Sequence, residues 1–336
     1  MSLKKITTGL AGAAALLMLS ACGTVGGTSA DPAAAADTKD VSEITVGFLQ
    51  RQLDAPYYSA MQSMAEDIAA EQGFKLLFQN AGGDAVTQLD QAQTMLSQGA
   101  DVLVVNALDP ETQRAQLEQI ASAVPLLFID TGISGVGVTS VSSDNLAVGE
   151  LSGALAAQRF EAGSTIDVGV LNGGPGDIVV GPNRQQGFLN GLEKGGLTYN
   201  LVAEATANYA QDKAVPATES MLAANPDIDL IFGLNDSMAL GALTVLRDQG
   251  NTTTLVAASA DGQKEALAVI AEGCDAQYIS TGLNSPALAT ERAFEIAISM
   301  ATGASSASDF EAEEYTNPAG INCENVADYY DENGVF

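Results

Sequence analysis

Residues 102–130 read VLVVNALDPETQRAQLEQIASAVPLLFID, and this stretch decides the fold class. Two short aliphatic runs, Val102–Asn106 and Leu126–Asp130, flank one longer amphipathic segment, Glu111–Ala123. Such runs are typical of buried parallel strands, and Pro125 stands where a helix has just ended. The stretch therefore predicts a strand, a helix and a second strand in succession.

The same alternation extends outward from this stretch in both directions. The further strand-like runs are Ile44–Leu49, Leu76–Gln79, Ile166–Leu171, Asn200–Ala205, Leu230–Leu234, Leu255–Ser259, Ala276–Thr281 and Phe310–Thr316. Helical segments are expected between them, among them Tyr57–Gln72, Ala85–Gln98 and Pro286–Thr302. Alternation of strand and helix predicts an α/β fold, and its repetition in a chain of 336 residues predicts two doubly wound parallel-sheet lobes.

Polar side chains stand where several of these strands end. They are Asn106, Asp130, Asn235 with Asp236 beside it, and Asp261. Open α/β sheets bind ligands at the carboxyl ends of their strands. Carboxylates accept from two hydroxyls and amides both accept and donate, so this set suits a neutral, polyhydroxylated ligand. Any one of these residues alone could equally be a helix N-cap.

Aromatic residues are 5% of the chain, which draws attention to Tyr57, Tyr58 and Tyr209. Aromatic rings pack against the C–H faces of sugars while their hydroxyls bond at the edges. A tyrosine at a helix start is also common in cores, so position decides between these readings.

Composition excludes several classes of function. With 13 basic and 42 acidic residues the formal net charge is −29, and nucleic acid is an unsuitable partner. The acidity favours solubility, with docking on a basic partner as the minor alternative. The chain has no histidine, which excludes Ser–His and Cys–His catalysis and His-ligated zinc. No Gly-rich phosphate loop or calcium loop is recognisable, so no cofactor and no metal are expected.

The first residues have the pattern of a secretion signal. Lys4 and Lys5 precede a short apolar run, and residues 19–23, LSACG, resemble a bacterial lipobox. We expect a lipoprotein signal peptide over residues 1–22, lipidation of Cys22 and a flexible linker over residues 23–42. A retained membrane helix is the weaker reading because the run is short.

The two remaining cysteines, Cys274 and Cys323, are expected to form a disulfide. Cysteines tend to pair outside the cytoplasm, and no others remain once Cys22 carries lipid. The alternative is two unrelated buried thiols.

Five motifs make the chain resemble the type I periplasmic sugar-binding proteins of the ribose-binding group. They are DAPYY at 54–58, VSSDN at 141–145, RQQGF at 184–188, FGLNDSMALG at 232–241 and ADG at 260–262. The resemblance runs from about Glu43 to Thr316. It implies a solute-binding protein that delivers a monosaccharide or polyol to the permease subunits of an ABC transporter.

The resemblance also implies which residues bind the ligand. Tyr57, Tyr58 and Tyr209 would stack on it, and Asp54, Asn106, Asp130, Arg184, Asn235 and Asp261 would lie at the site. One more contact would come from Thr281 or from Asn284, depending on how the last crossover is aligned. Ribose-type proteins carry asparagine where this chain has Ala55, and often arginine where it has Thr131, which puts ribose itself in doubt.

In this family the chain crosses between the lobes three times, here near Ser143, Asn284 and Tyr315. That division gives lobe 1 as residues 43–143 plus 285–314 and lobe 2 as residues 144–284 plus 315–336. Both Cys274 and Cys323 then fall in lobe 2. The protein is expected to be an extracytoplasmic, lipid-anchored monomer and not an enzyme. A ligand-presenting protein for a chemoreceptor, a regulator of transcription and a glycoside-processing enzyme are the alternatives.

Overall fold

A computed structural model describes residues 38–175 and 177–336 of the chain. The expected signal peptide with Cys22, and most of the expected linker, lie outside the described residues. The described residues belong to one compact unit, Asp37–Phe336. Among these residues, no helix has the length and apolar character that crossing a membrane requires.

Strands and helices alternate along the described chain, as the sequence predicts. Up to Ala157 the elements are β1 (Thr45–Gln50), α1 (Pro56–Gln72), β2 (Lys75–Asn80), α2 (Ala85–Ser97), β3 (Val102–Val105), α3 (Pro110–Ala121), β4 (Leu126–Ile129), β5 (Ser140–Ser143) and α4 (Asn145–Ala157). Beyond it they are β6 (Thr165–Asn172), α5 (Val180–Lys194), β7 (Thr198–Thr206), α6 (Gln211–Ala224), β8 (Leu230–Gly233), α7 (Asp236–Gln249), β9 (Leu255–Ala258), α8 (Lys264–Ile270), β10 (Tyr278–Gly282), α9 (Pro286–Thr302), β11 (Glu313–Thr316) and β12 (Gly320–Ile321).

The strands form two six-stranded sheets with equivalent strand orders. The first sheet runs β2-β1-β3-β4-β5-β11 and is parallel throughout. The second runs β7-β6-β8-β9-β10-β12, in which only the short β12 is antiparallel among the described strands. The expectation of two parallel-sheet α/β lobes is confirmed. Below, lobe 1 is the lobe built on the first sheet and lobe 2 the lobe built on the second.

Three chain segments connect the lobes. The chain leaves the first sheet after β5, returns with α9 after β10, and passes from β11 to β12. The sequence motif at 141–145 overlaps strand β5 (Ser140–Ser143), which was not predicted as a strand. The expected boundary near Tyr315 falls within β11, which remains paired with β5 as far as Thr316. Ser143 and Thr316, at the ends of these two strands, share a hydrogen bond of 3.0 Å between their hydroxyls.

Both faces of the first sheet are covered by apolar clusters, and a larger cluster fills the second lobe. Phe48 packs edge-on against Phe294 of α9, and Phe188 stacks on Phe232 with centroids 4.2 Å apart. Helices α4 and α5 approach closely because Gly153 lies against the Phe188 carbonyl, where a Cβ would overlap it. This packing fixes the start of α5, which carries Arg184.

Cys274 and Cys323 form a disulfide, with Cα atoms 5.1 Å apart. Cys274 follows α8 and Cys323 follows β12, so the bond joins two segments of lobe 2. The expected disulfide is therefore present, and the alternative of two separate thiols is wrong.

Candidate functional site

The candidate site lies where the carboxyl ends of the strands of both sheets meet. Asn106 and Asp130 follow β3 and β4 of lobe 1, while Asn235, Asp261 and Asn284 follow β8, β9 and β10. These side chains are buried or nearly so, although they are polar. Buried polar groups are normally hydrogen-bonded, so their partners define what the site can do.

The lobe 2 side is organised around a buried ion pair between Arg184 and Asp261. The guanidinium Nη1 lies 3.0 Å from Asp261 Oδ1, and both side chains are almost fully buried. Arg184 also donates to Asn145 Oδ1 at 2.8 Å and to the Leu234 carbonyl at 3.1 Å. Asn284 donates to the same oxygen of Asp261 at 2.8 Å. The fold therefore positions Arg184 and Asp261 firmly.

Asp236 holds the loop that carries Asp261. Its Oδ2 accepts from the backbone N–H groups of Asp261, Gly262 and Gln263 at 3.1, 2.6 and 2.6 Å, and its Oδ1 accepts from the Tyr278 hydroxyl at 2.6 Å. Burial, together with the charge of Asp261, raises the pKa of Asp236. Asp236, which is fully buried, thus fixes the backbone of the loop on which Asp261 stands.

The lobe 1 side is less completely hydrogen-bonded. Asn106 donates to Gln50 Oε1 at 3.0 Å and to Asp130 Oδ2 at 3.3 Å. Its Oδ1 is buried without a partner among the described residues. Burial raises the pKa of Asp130, an effect that the nearby Arg51 and Arg184 oppose. This side therefore holds a free acceptor next to a carboxylate.

Arg51, which directly follows β1, is a site residue that the sequence analysis missed. Its Nη1 donates to Thr131 Oγ1 at 3.2 Å, and its guanidinium carbon lies 5.9 Å from the centroid of the Tyr58 ring. Its Nε is buried without a partner among the described residues. Position 131 has no arginine, but Arg51 reaches Thr131 from the end of β1, across the intervening strand β3.

The same signal that indicated Asn106 could have found Arg51 and Gln50, because both stand where β1 ends. Asn145, which orients Arg184, lay in a quoted motif without being singled out. Asp177, in the loop after β6, accepts a hydrogen bond from the Tyr209 hydroxyl. Nothing in the spacing of the sequence marks Asp177 as a partner of Tyr209.

The three tyrosines lie around this polar cluster. Tyr57 is buried, and its hydroxyl donates to Asn284 Oδ1 at 3.2 Å, which links the two lobes. The rings of Tyr57 and Tyr58 meet edge to face, 5.7 Å apart. Burial raises the pKa of Tyr57, Tyr58 and Tyr209, so their hydroxyls stay protonated and can donate.

Three predicted residues take no part in the hydrogen bonds around Arg184, Asp261 and Asp130. Asp54 is exposed and makes none of the hydrogen bonds described above. Asn235 caps α7, with its Oδ1 accepting from the Met238 N–H at 3.0 Å and its amide donating to the Tyr209 carbonyl at 3.4 Å. Thr281 lies fully buried within β10. Of the two candidates at the last crossover, the structure brings Asn284 into the cluster.

The described part of the chain contains no group of three or more cysteine, aspartate or glutamate residues arranged to hold a metal ion. The cluster instead contains two arginines, Arg51 and Arg184, opposite two carboxylates, Asp130 and Asp261. Amides and tyrosine hydroxyls surround these charges.

Sequence comparison matches residues 46–305 to a family model described as a periplasmic binding protein domain. The ribose import binding protein of Bacillus subtilis is 29% identical over 284 residues, which cover 84% of this chain and 88% of that protein. The xylitol-binding protein of Mycolicibacterium smegmatis is 25% identical over 298 residues, which cover 85% and 78% of the two chains.

This chain also aligns with almost the whole length of solved structures that have a similar fold. An ABC transporter solute-binding protein from Mycobacterium smegmatis with bound glycerol is 28% identical with a TM-score of 0.76, over 87% of this chain and 98% of that one. The Caulobacter myo-inositol binding protein bound to myo-inositol is 27% identical with a TM-score of 0.74, over 85% and 95%.

Proposed function

The chain belongs to the periplasmic binding protein domain family, in the type I sugar-binding group that its motifs indicated, and from that premise we propose a specific role. The protein captures a small, neutral, polyhydroxylated ligand, a monosaccharide or a polyol, between its two lobes. It then presents the ligand to the permease subunits of an ABC importer. It binds the ligand without transforming it.

The balance of charges in the cluster carries this proposal. Arg51 and Arg184 offset Asp130 and Asp261, so a bound molecule with net charge would leave one buried charge uncompensated. Hydroxyl groups both donate and accept, and the cluster offers partners of both kinds. The unpaired Arg51 Nε and Asn106 Oδ1 supply one donor and one acceptor that a hydroxyl would satisfy.

The aromatic side chains support the same ligand class. Tyr57 and Tyr58 from lobe 1 and Tyr209 from lobe 2 stand beside the polar cluster. Rings of this kind cover the apolar C–H faces of a sugar or cyclitol. A ligand held by both lobes would favour the closed arrangement over an open one.

Related proteins are consistent with this ligand class. The relatives and structures above are named for ribose, xylitol and myo-inositol, or hold glycerol. All four are small neutral molecules with several hydroxyl groups. The expected lipid at Cys22 would keep the protein at the outer face of the membrane, where an importer collects its substrate.

A thermal-shift screen tests the proposal directly. Purified protein is heated with D-ribose, xylitol, myo-inositol, glycerol and a set of amino acids. A ligand at 100 times its Kd stabilises the folded state by about 2.7 kcal/mol, which raises Tm by several degrees. We expect a shift with a sugar or polyol that disappears in Asp261→Asn and persists in Asp248→Asn, an exposed aspartate outside the candidate site. A shift with amino acids alone would contradict the proposal.

A further inference from the structure

Residues 331–336, called the return segment here, run from lobe 2 back to lobe 1. Before this segment the chain is held in lobe 2 by the Cys274–Cys323 disulfide and by Tyr330, which packs against the lobe 2 core. Within the segment, Lys264 Nζ of α8 donates to the Gly334 carbonyl at 2.7 Å. Two residues later, Phe336 packs against the lobe 1 core.

Phe336 contacts Tyr57, the tyrosine whose hydroxyl links the two lobes. Its ring meets Tyr57 edge to face, with centroids 5.7 Å apart and planes at 81°. Tyr57 is held on another side by Tyr58 and through its hydroxyl by Asn284. The three contacts together fix the orientation of one ring at the junction of the lobes.

This connection differs in kind from the three crossover segments. Those segments are continuous chain and remain attached however far the lobes open. Among the described residues, the return segment meets lobe 1 through non-covalent packing of Phe336, so opening of the two lobes can break its contact with Tyr57. The segment also lies beyond residues 46–305, the range matched by the family model.

We propose that Phe336 is a positioning residue of the ligand site: anchored through Lys264, it holds the Tyr57 ring and clasps the lobes in the closed arrangement. It thereby slows ligand release. The effect on release rests on the proposed function, whereas the clasp between the lobes does not.

The clasp is tested first without ligand. Glu118→Cys in lobe 1 and Lys213→Cys in lobe 2, both at exposed positions, carry spin labels in a Cys22→Ser background, and the interlobe distance distribution is measured. We expect Phe336→Ala to shift the population toward longer distances.

Two further variants make the distance measurement decisive. Lys264→Met removes the anchor without changing the aromatic ring, and we expect it to shift the distances in the same direction as Phe336→Ala. Val335→Ala, an exposed neighbour in the same segment, should leave them unchanged. Distances in both Phe336→Ala and Lys264→Met that match the wild type would overturn the proposal.

Ligand release gives the second readout. With the strongest binder among D-ribose, xylitol and myo-inositol, stopped-flow dilution should show release about fivefold faster in Phe336→Ala, the size expected for losing one aromatic pair. A lower Tm with an unchanged release rate would mean that Phe336 only stabilises the fold, and would overturn its positioning role.

The two readouts separate the clasp from the proposed function. If none of the three probes binds and the thermal-shift screen responds to amino acids alone, the proposed ligand class fails. The distance measurement, which needs no ligand, then still decides whether the return segment clasps the lobes.

Discussion

The candidate site lies in a cleft between the lobes, and each lobe forms one wall of it. The two walls differ in how many buried polar atoms lack a hydrogen-bond partner within the protein. On the lobe 2 wall, Arg184 and Asp261 bond each other and also find partners in the fold, and Asp236 locks the loop behind them. On the lobe 1 wall, Arg51 Nε and Asn106 Oδ1 are buried without partners among the described residues.

This difference indicates a division of roles. The lobe 2 wall is hydrogen-bonded within the protein, so under the proposed function its residues would contribute to both folding and binding. The lobe 1 wall keeps a free donor and a free acceptor, which the proposed ligand would complete. Substitutions on the lobe 2 wall should therefore lower both the stability of the fold and the affinity for ligand, whereas substitutions on the lobe 1 wall should lower mainly the affinity.

The largest effect is expected where the lobe 2 wall depends on one buried carboxylate. Asp236→Ala removes the acceptor of three backbone N–H groups and of the Tyr278 hydroxyl, and should lower the free energy of unfolding by about 3–5 kcal/mol. Urea denaturation measures this loss. Asp248→Ala, on the exposed side of the same helix, is the control. If Asp236→Ala and Asp248→Ala unfold with equal free energy, the lobe 2 wall does not depend on Asp236 and the proposed difference between the walls is wrong.

The next effect concerns the buried ion pair. Asp261→Asn leaves the Arg184 guanidinium without a counter-charge, and should weaken ligand binding at least 100-fold, about 3 kcal/mol. Calorimetric titration with the ligand found in the screen measures this change. Arg292→Gln, which breaks a partly exposed ion pair with Glu314, should leave affinity within about twofold. Similar losses in both variants would show that the effect is not local to the cleft.

A smaller effect, confined to binding, is expected on the lobe 1 wall. Arg51→Met keeps much of the side-chain volume but removes the free donor, and should weaken binding about tenfold. Its free energy of unfolding should change by less than about 1 kcal/mol, because the Arg51 side chain donates a hydrogen bond to Thr131 alone among the described residues. Arg114→Met, at an exposed arginine of the same lobe, is the matched control for affinity. A large loss of stability in Arg51→Met would contradict the division of roles.

The smallest effect is a pH dependence. Burial raises the pKa of Asp130 above its ordinary value of 3.8, so the folded state binds that proton more tightly than the unfolded state. Its contribution to stability therefore falls as pH rises from about 4 through the raised pKa. Asp130→Asn should remove this fall, so that its Tm gains on the wild type as pH rises.

Asp84 gives the opposite sign and serves as the control. The Thr87 N–H lowers the pKa of this exposed N-cap, so its contribution is present above the unfolded pKa and is lost as pH falls through the lowered pKa. Asp84→Asn should thus lose Tm relative to the wild type at neutral pH and not in acid. A pH profile of Asp130→Asn that resembles that of Asp84→Asn would show that Asp130 is not desolvated.

The sequence predicted the alternation of elements well because each element carries its own signals. Helix α9 begins at Pro286 and ends at Thr302, as expected, since proline favours a first turn and Gly303 takes a left-handed conformation at its end. Strand β5 was missed because its four residues, Ser140–Ser143, include three serines and lack the aliphatic pattern of a buried strand.

The sequence predicts which side chains meet at the site only where a polar residue at a strand end has no second role, such as capping a helix. Asn106 and Asp130 meet as expected, because parallel strands end at the same edge. Asn235 also stands at such an end, yet its amide oxygen caps α7, and only three-dimensional contacts reveal that. Arg51 was not predicted, because it follows β1 while its partner Thr131 follows β4, and the sequence does not show that the two side chains meet.

The tyrosines around the cleft also make the protein its own optical reporter. The chain has eight tyrosines and no tryptophan, so tyrosine emission is not transferred to an indole acceptor. The Tyr57 hydroxyl bonds Asn284 across the lobes, and the Tyr209 hydroxyl bonds Asp177 within lobe 2. When a ligand displaces or tightens these contacts, the ultraviolet emission of the unmodified protein should change, so that binding can be followed in real time without a dye.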